Sequence, residues 1–594
     1  MRFHQDQVIK YLIVFNLFIL LTLPQLNNVH YDPLPQFWAE ITFAWATISL
    51  FLIVCFGLKQ VSIPRITLPL LLFAIYIAIQ PSIVQISFPG LSYVASLEFV
   101  LCILLAISTS TIVEKYGLPY FVSIICLALV AGAILQSIIG LIQYTGYYKS
   151  FSRLIFYDSS HPTTNIFGHF GQRNHYCHYL TWATFGLIYL HLKDKIDKTT
   201  FYSLIVWFMF SITIAASRSV FIYFIGAIAI SGVYYLFNRT LQSKKLLFLI
   251  TISSIILVVF EYGYPILQTF ISHKHEVASG LERLTQANID GGLVGRRLVE
   301  WQKAWITFLA HPIFGYGLNG FAHQSVYLYP LFKNTPLNSG LFTNCHNLIL
   351  QLLAETGLIG TLIIVIGGLW VISRTLISPR IRKPRRRNVS LEVIIVLCMI
   401  ATTVAHSMVE YPLWYIYFLG PLTIFMSLDK SLFKLNKNLI ISIVTIPITF
   451  IIYLLISGSL TFNTLVRYID APTNKISFVY QAKQIEEIIN HNVLWAFPAV
   501  YTLDNYITIN SVKTNTAFNE QTQLEYENLL GLSHPYPDVL IKQALLNWNL
   551  GNYAAARKYA TLAIQAFPSY KSSFLKSLKY KKYSELYIIV NNYK

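Results

Sequence analysis

Long apolar stretches separated by short polar segments recur along most of the chain. A helix that crosses a bilayer needs about 20 mainly apolar residues, and about thirteen stretches, with an uncertainty of one, meet that length. They lie at 8–24, 39–57, 66–84, 92–111, 118–144, 174–191, 200–216, 219–237, 246–264, 346–372, 391–410, 412–428 and 438–457. The composition agrees, with 55% hydrophobic residues, 12% charged residues and a mean hydropathy of +0.54. The pattern predicts an all-α polytopic membrane protein.

The formal net charge of +18 could indicate nucleic-acid binding, but the basic residues gather at alternate helix ends. By the positive-inside rule these ends are cytoplasmic. They carry Lys59, Arg65, Lys193, Lys195, Lys198, Arg239, Lys244, Lys245, the run 380–387, Lys430, Lys434 and Lys437. We therefore expect no nucleic-acid partner, a cytoplasmic N-terminus and, with an odd number of spans, a C-terminus on the outer side.

Three outer segments are long enough to carry structure of their own: 145–173, 265–345 and the region after about 460. We predict a transmembrane domain at 1–458, including the helical loop 265–345, and a small helical domain at 459–594. Within the latter, "QALLNWNLGNYAAARKYATLAIQAFP" has the small, turn and aromatic positions of one tetratricopeptide-type hairpin. Capping the structure and binding an acceptor protein are both open as roles for this domain.

The stretch "CHNLILQLLAETGLIG" combines a lipid-soluble helix with a polar stripe. Asn347, Gln351 and Glu355 recur every four residues, so they share one helix face. We expect this stripe to face the protein interior and to fix the helix. His346, one residue before the stripe, would then project into a cavity at the outer end.

Other polar groups also cluster at the outer ends of spans. An ionisable group at membrane depth costs on the order of 3 kcal/mol, so such a cluster calls for a functional explanation. His406 and Glu410, one turn apart, are expected to pair with each other. The remaining members are His169, Gln172, Arg173, Asn174, His175, Ser217, Arg218, Ser219, Arg296 and Arg297.

These residue types predict a cationic, histidine-containing pocket. Guanidinium groups match the oxygens of a diphosphate, and an imidazole can accept a proton from a hydroxyl near neutral pH. We expect no metal and no cofactor, because Asp-x-Asp is absent and the outer loops contain no carboxylate cluster. The six scattered cysteines have no metal-ligand spacing. Structural explanations compete for each residue, such as helix capping for Gln172 and Asn174 or a solvated surface for Arg296 and Arg297.

The order of these elements resembles bacterial O-linked oligosaccharyltransferases of the pilin-glycosylating type, within the O-antigen ligase and polymerase superfamily. The matching pieces are "LPQLNNVHYDPLPQFWAE", "GHFGQRNH", "SRS", "HPIFGYGLNGF", "HNLILQLLAETGLIG" and "HSMVEYPLWYIYFL", which extend over about 20–430. The histidine-asparagine element is common to the superfamily. The combination of "FGQRN" with "HSMVEYPLWY" is more specific to protein glycosylation.

The resemblance implies a GT-C-like fold in the bacterial inner membrane, with the active site and C-terminus in the periplasm. The enzyme would transfer a preassembled oligosaccharide from undecaprenyl pyrophosphate to a Ser or Thr of a pilin-like protein, with inversion and without metal. His346 would be the base, and Glu410, in the family's acidic-aromatic element, would be a second catalytic residue. Arg218 with Arg296 or Arg297 would bind the pyrophosphate. The implied substrate contacts are Gln172, Arg173, Asn174, Asn347, Tyr411 and Tyr415.

Three alternative functions remain open. O-antigen ligation would use a lipid A–core sugar as the acceptor, and a glycan polymerase would use another lipid-linked glycan. A transporter or flippase for lipid-linked saccharides is disfavoured, because transport needs polar groups along the whole path through the membrane. The acceptor distinguishes the three enzymes.

Overall fold

The computed structural model describes residues 2–271, 293–332, 340–377, 389–428, 431–509 and 516–593. The basic run 380–387 and Lys430, both predicted to be cytoplasmic, lie outside the described residues. Parts of the predicted outer loop, at 272–292 and 333–339, do so as well.

Helices form nearly all of the regular structure in these ranges. The first nine are α1 (Arg2–Thr22), α2 (Phe37–Gly57), α3 (Thr67–Ile83), α4 (Pro89–Tyr116), α5 (Leu118–Thr145), α6 (Arg173–Leu192), α7 (Lys198–Ala215), α8 (Val220–Asn238) and α9 (Leu241–Ile271). The loop that follows contains α10 (Leu293–Ala310) and α11 (Gly320–Tyr327). Next come α12 (Leu348–Ile377), α13 (Leu391–Ser407), α14 (Ile416–Met426) and α15 (Lys437–Arg467).

The C-terminal part is helical too, with α16 (Lys475–His491), α17 (Ala496–Leu503), α18 (Glu520–Gly531), α19 (Pro537–Asn549), α20 (Tyr553–Ala566), α21 (Lys571–Ser577) and α22 (Ser584–Asn591). Short 3-10 turns occur at Pro24–Leu26, Tyr147–Phe151, Tyr329–Phe332, Pro412–Trp414, Val493–Trp495, Asp504–Tyr506, Pro568–Tyr570 and Lys581–Tyr583. Two short strands, β1 (Gln60–Ile63) and β2 (Phe433–Asn436), pair antiparallel.

The all-α polytopic class is confirmed, and each of the thirteen predicted spans coincides with a helix. Among the described residues, nine helices are long and apolar enough to cross a membrane: α1, α2, α4, α5, α7, α8, α9, α12 and α15. Helices α3, α13 and α14 are apolar but shorter. Helix α6 is rich in polar side chains, yet it is buried from His175 to Leu190 by its neighbours, so these side chains avoid lipid. The count of thirteen crossings remains a prediction.

Loops that we predicted to share one face of the membrane do meet in space. Strand β1 follows Lys59, and its partner β2 contains Lys434. The Lys434 Nζ lies 2.8 Å from the Glu114 Oε2 near the end of α4. Lys193 likewise pairs with Glu392, at 2.5 Å. These contacts agree with the predicted alternation of the helices, while the assignment of this face to the cytoplasm remains a prediction.

The C-terminal helices pack against the outer loop. Helices α19 and α20 form the predicted hairpin, and Gly551 in the turn between them has a φ of 82°. Their hydrophobic core includes Val326, which is in α11, and Tyr329, which is in the 3-10 turn after it. Helix α15 continues to Arg467, beyond the predicted domain boundary at 458.

Helix α12 is one continuous span in the sequence pattern, but the structure breaks it at Gly357, which has a φ of 62° and a ψ of −165°. At the break the backbone bonds to a neighbouring loop. The Leu358 N–H donates to the Pro312 carbonyl (2.8 Å), and the Gly317 N–H donates to the Glu355 carbonyl (2.8 Å). A β-carbon at Gly357 would lie 2.3 Å from the Ile313 carbonyl oxygen. Only glycine fits here.

We expect Gly357→Ala to destabilise the protein by at least about 2 kcal/mol, because it combines backbone strain with a backbone clash. Thermal unfolding in detergent, followed by intrinsic fluorescence, measures the change. Gly368→Ala is a matched control in the same helix, since a β-carbon there has no neighbour within 4 Å. Equal unfolding temperatures for the two variants would contradict the assigned role of the break.

Candidate active site

His346 occupies the tight turn that leads into α12. Its φ of 57° lies in the left-handed region, which histidine adopts more readily than most non-glycine residues. The turn is fixed from both sides. The Asn347 side chain accepts from the Leu350 N–H (3.1 Å), and its Nδ2 donates to the Met408 carbonyl (3.3 Å). The helix cap therefore also joins His346 to the end of α13.

The polar stripe of α12 faces the protein interior, as predicted. Gln351 and Glu355 are each 1% exposed. The Gln351 Oε1 accepts from the Cys345 N–H at 2.7 Å, which tightens the turn around His346. The Glu355 carboxylate faces the first turn of α11, where the Phe321 N–H lies 3.5 Å from its Oε1.

Glu410 is the hub of the site. It lies between α13 and α14, and its side chain is 4% exposed. Four side chains from three separate chain segments donate to its two oxygens. The His346 Nδ1 (3.1 Å) and the Gln172 Nε2 (3.1 Å) contact Oε2, while the Asn174 Nδ2 (2.8 Å) and the Arg297 Nη2 contact Oε1. Four of the predicted site residues thus converge on the carboxylate of Glu410.

These donors fix the proton positions. A carboxylate surrounded by amide and guanidinium N–H groups accepts every hydrogen bond, so its ionised form fits the site. The His346 Nδ1 then carries the proton that is shared with Glu410. The Nε2 of the same ring retains its lone pair and can take a proton from a hydroxyl. A carboxylate–histidine pair of this kind orients a general base.

Asn174 receives its orientation from a residue to which the sequence assigned no role. The Ser217 hydroxyl, in the turn between α7 and α8, donates to the Asn174 Oδ1 at 2.7 Å. This bond turns the Asn174 Nδ2 toward Glu410. The sequence placed Ser217 in the outer polar cluster and in the matching piece "SRS", but it did not show this bond.

The two arginines of α10 have different surroundings. Arg297 pairs with Glu410, and its side chain is 22% exposed. Arg296 instead stacks on the Phe342 ring, with Cζ 3.9 Å from the ring centroid. Its Nε is buried without a hydrogen-bond partner among the described residues. The sequence could not separate the two, because it does not show which face of α10 meets the site.

The other two predicted arginines, Arg218 and Arg173, have different surroundings. Arg218 is half-buried, and it lies close enough to Glu410 for its charge to lower the pKa of that carboxyl, against the larger opposing effect of burial. Arg173 donates from Nε (3.1 Å) and Nη2 (2.7 Å) to the Asn165 Oδ1. Arg173 therefore braces the loop before α6.

Aromatic rings form one wall of the site. The ring centroid of Tyr411 lies 5.2 Å from that of His346. The ring centroid of Phe342 lies 5.6 Å from that of His346, and these two rings are T-shaped to each other. Tyr415 stacks on Tyr417 at 5.4 Å. Tyr411 therefore lies beside the imidazole, whereas Tyr415 extends the wall away from it.

Burial sets the protonation of the central pair. It lowers the pKa of His346 to about 3, and the charges of Arg297 and Arg296 act in the same direction. Burial also raises the pKa of Glu410, while Arg297, Asn174 and Gln172 oppose that rise. The imidazole is consequently neutral at physiological pH.

The predicted pairing of His406 with Glu410 is wrong. Helix α13 ends at Ser407, and the Glu410 N–H bonds back to the His406 carbonyl at 2.8 Å. That turn directs the two side chains apart. The His406 Nδ1 lies 2.9 Å from the His178 Nδ1 inside the bundle, while Glu410 faces His346.

Within the part of the chain that the structure describes, no three His, Cys, Asp or Glu side chains gather as a metal site. Metal independence remains a prediction.

Three family models match this chain, and each matched segment contains at least one residue of the hub around Glu410. A model described as "Protein glycosylation ligase" matches 166–191, which contains Gln172 and Asn174. The "O-Antigen ligase" model matches 203–365, which contains Arg297 and His346. A model described as "Virulence factor membrane-bound polymerase, C-terminal" matches 394–579, which contains Glu410. The resemblance to the O-antigen ligase superfamily is confirmed.

Two curated relatives from Acinetobacter baylyi (strain ATCC 33305 / BD413 / ADP1) point to one branch of that superfamily. A "General O-oligosaccharyltransferase" is 24% identical over 438 residues, which cover 71% of each chain. A "ComP-specific O-oligosaccharyltransferase" is 25% identical over 252 residues, which cover 42% of this chain and 41% of the relative. The suspected type, an O-oligosaccharyltransferase, agrees with both.

We expect the His346 imidazole to stay neutral from pH 7.5 to pH 5, because its pKa lies near 3. Diethyl pyrocarbonate reacts with neutral imidazole, so peptide mass spectrometry can follow the modification rate of His346 across this range. The rate should change little, whereas that of free N-acetylhistidine should fall as its ring is protonated near pH 6.5. A parallel fall at His346 would contradict the lowered pKa.

Proposed function

We propose that this protein is an O-linked oligosaccharyltransferase. It transfers a preassembled glycan from undecaprenyl pyrophosphate to a Ser or Thr hydroxyl of a periplasmic protein such as a pilin. It works in the bacterial inner membrane, with its N-terminus in the cytoplasm and its active site and C-terminal helices in the periplasm. The proposal rests on the similarity to O-oligosaccharyltransferases and on the chemistry of the site.

The observation that carries the proposal is the contact between His346 and Glu410, 3.1 Å long, with Arg297 on the same carboxylate. This contact brings together His346, which can accept the proton of an acceptor hydroxyl, and Arg297, which can bind a diphosphate. Glycosyl transfer from a lipid pyrophosphate needs both functions.

In the proposed step the acceptor hydroxyl oxygen attacks the anomeric carbon of the lipid-linked sugar. The hydroxyl proton passes to the Nε2 of His346, and the bond between the anomeric carbon and the pyrophosphate oxygen breaks. The electron pair leaves with undecaprenyl pyrophosphate, so a single displacement inverts the anomeric centre. Glu410 stabilises the imidazolium that forms, as a carboxylate does in a hydrolase triad.

Arginine takes the part of a metal ion in this scheme. Arg297 has five N–H donors, and in the described residues only its Nη2 bonds to Glu410. Its remaining donors can reach pyrophosphate oxygens. Arg218 and Arg296 supply further positive charge to the same region, where a forked guanidinium fits a diphosphate better than an ammonium does.

We expect His346→Asn to lower the transfer rate by about 10²–10⁴-fold, the usual contribution of a general base. Asparagine tolerates the left-handed backbone of this turn, so the loss would report the imidazole rather than the fold. The measurement is the intact mass of a candidate pilin that is co-expressed with a lipid-linked glycan pathway. His491→Asn, at an exposed helix end, is the matched control and should leave the mass gain intact.

Arg218→Lys should slow transfer by about ten- to a hundred-fold although it keeps the charge, because it loses a forked hydrogen bond to a charged group. Initial rates with a purified lipid-linked donor measure this loss. Arg239→Lys, at the exposed opposite end of α8, controls for the substitution itself. Full activity of Arg218→Lys would argue against its role in binding pyrophosphate.

O-antigen ligation and glycan polymerisation are the second candidates, since two of the matching family models carry those descriptions. The same base and cations would serve either reaction. A modified lipid core, or a lengthened lipid-linked glycan, in cells whose pilin mass is unchanged would favour one of them.

A further inference from the structure

A cavity of about 210 Å³ lies where three parts of the chain meet. The loop before α4 forms one side, the start of α11 with the residues before it forms the second, and Leu532 and Ser533 after α18 form the third. It is separate from the hub around Glu410, because its lining shares no residue with that hub.

The lining is uncharged and combines polar groups with aliphatic and aromatic side chains. It contains the side-chain amides of Gln85, Asn319 and Gln324, and the hydroxyl of Ser87. No hydrogen bond joins these four groups to another protein group within the described ranges. Amides both donate and accept, which suits hydroxyl groups that do the same. Among the described residues, the lining has no Lys, Arg, Asp or Glu.

The rest of the lining consists mainly of a histidine, two aromatic rings and the aliphatic side chains of Ile86, Leu91, Leu318 and Leu532. The His323 Nδ1 is bonded to the Gly531 carbonyl at 2.9 Å. Burial lowers the pKa of His323, so this ring is neutral as well. Phe88 and Tyr316 add flat apolar surface. An uncharged lining that mixes amides and a hydroxyl with apolar side chains is suited to a ligand that has hydroxyl groups on an apolar ring.

The cavity is tied rigidly to the catalytic end of α12. The Tyr316 N–H donates to the Ala354 carbonyl at 3.0 Å. Ala354 follows His346 by eight residues, which is roughly 12 Å along a helix. A glycan of a few sugars that starts beside His346 can span this distance.

We propose that this cavity is a subsite for an uncharged sugar of the donor glycan, beyond the sugar that is joined to the pyrophosphate. The proposal rests on the proposed function. The cavity is smaller than the roughly 300–1,000 Å³ of typical ligand pockets, so it accommodates one sugar unit rather than a protein segment. An acidic sugar would find no cation in the lining.

The test compares two donors, the complete lipid-linked oligosaccharide of the producing strain and its form truncated to the first sugar. In the double variant Gln85→Ala/Gln324→Ala, the KM for the complete donor should rise about tenfold, because two hydrogen bonds are lost. The kcat should not change, and the truncated donor should be transferred as by the unmodified protein. Gln521→Ala, an exposed amide at the far end of α18, is the control.

Binding of the free oligosaccharide to the purified protein, followed by saturation-transfer NMR, gives a readout that needs no transfer. The signal should be present for the unmodified protein and the control, and lost in the double variant. If the unmodified protein binds the glycan but transfers neither donor, the proposed function fails while the subsite stands. Equal KM changes for both donors, a change in the KM for the acceptor instead, or no binding would overturn the subsite.

Discussion

The buried carboxylate of Glu410 is the interaction on which the site depends. Moving a carboxylate out of water costs several kcal/mol, and hydrogen bonds to a charged group return about 1.5–3 kcal/mol each. Glu410 therefore needs most of its donors at once, and these come from the start of α6, from α10 and from the turn before α12. The hydrogen bonds that stabilise this buried carboxylate therefore also hold the side chains of the candidate site close together.

The break in α12 decides where His346 lies. A continuous helix from 348 to 377 would leave the carbonyl groups near Glu355 bonded within the helix. Instead the Gly317 N–H and the Gln80 Nε2 both donate to the Glu355 carbonyl, each at 2.8 Å. The first part of α12 is thus held by α3 and by the loop before α11. These contacts from α3 and from the loop before α11 fix the position of His346. They also fix the position of the cavity beside α11.

Hydrophobic periodicity was sufficient for the fold class, since burial in lipid imposes helices on every span. It was also sufficient for the interior stripe Asn347–Gln351–Glu355, because helix geometry alone sets that face. It failed at Gly357, where contacts from a distant loop replace bonds within the helix. It failed again at His406, since spacing gives the face of a regular helix but not the direction of a side chain after the helix has ended. The partners of Glu410 lie more than 60 residues away in the chain, so the sequence could place them in one polar cluster but could not show that they meet at this carboxylate.

The position of Arg297 depends on a second buried charge pair. Lys303 and Glu300, one turn further along α10, are both fully buried and lie 2.9 Å apart. The Ser325 hydroxyl of α11 donates to Glu300 at 2.8 Å, and Lys303 lies 3.4 Å from the centroid of the Tyr329 ring. A buried ion pair contributes little net stability, but rotation of α10 would withdraw both buried charges from Ser325 and Tyr329. The pair therefore fixes the rotation of α10, and with it which arginine faces Glu410. This explains why two adjacent arginines, equivalent in the sequence, have different surroundings in the fold.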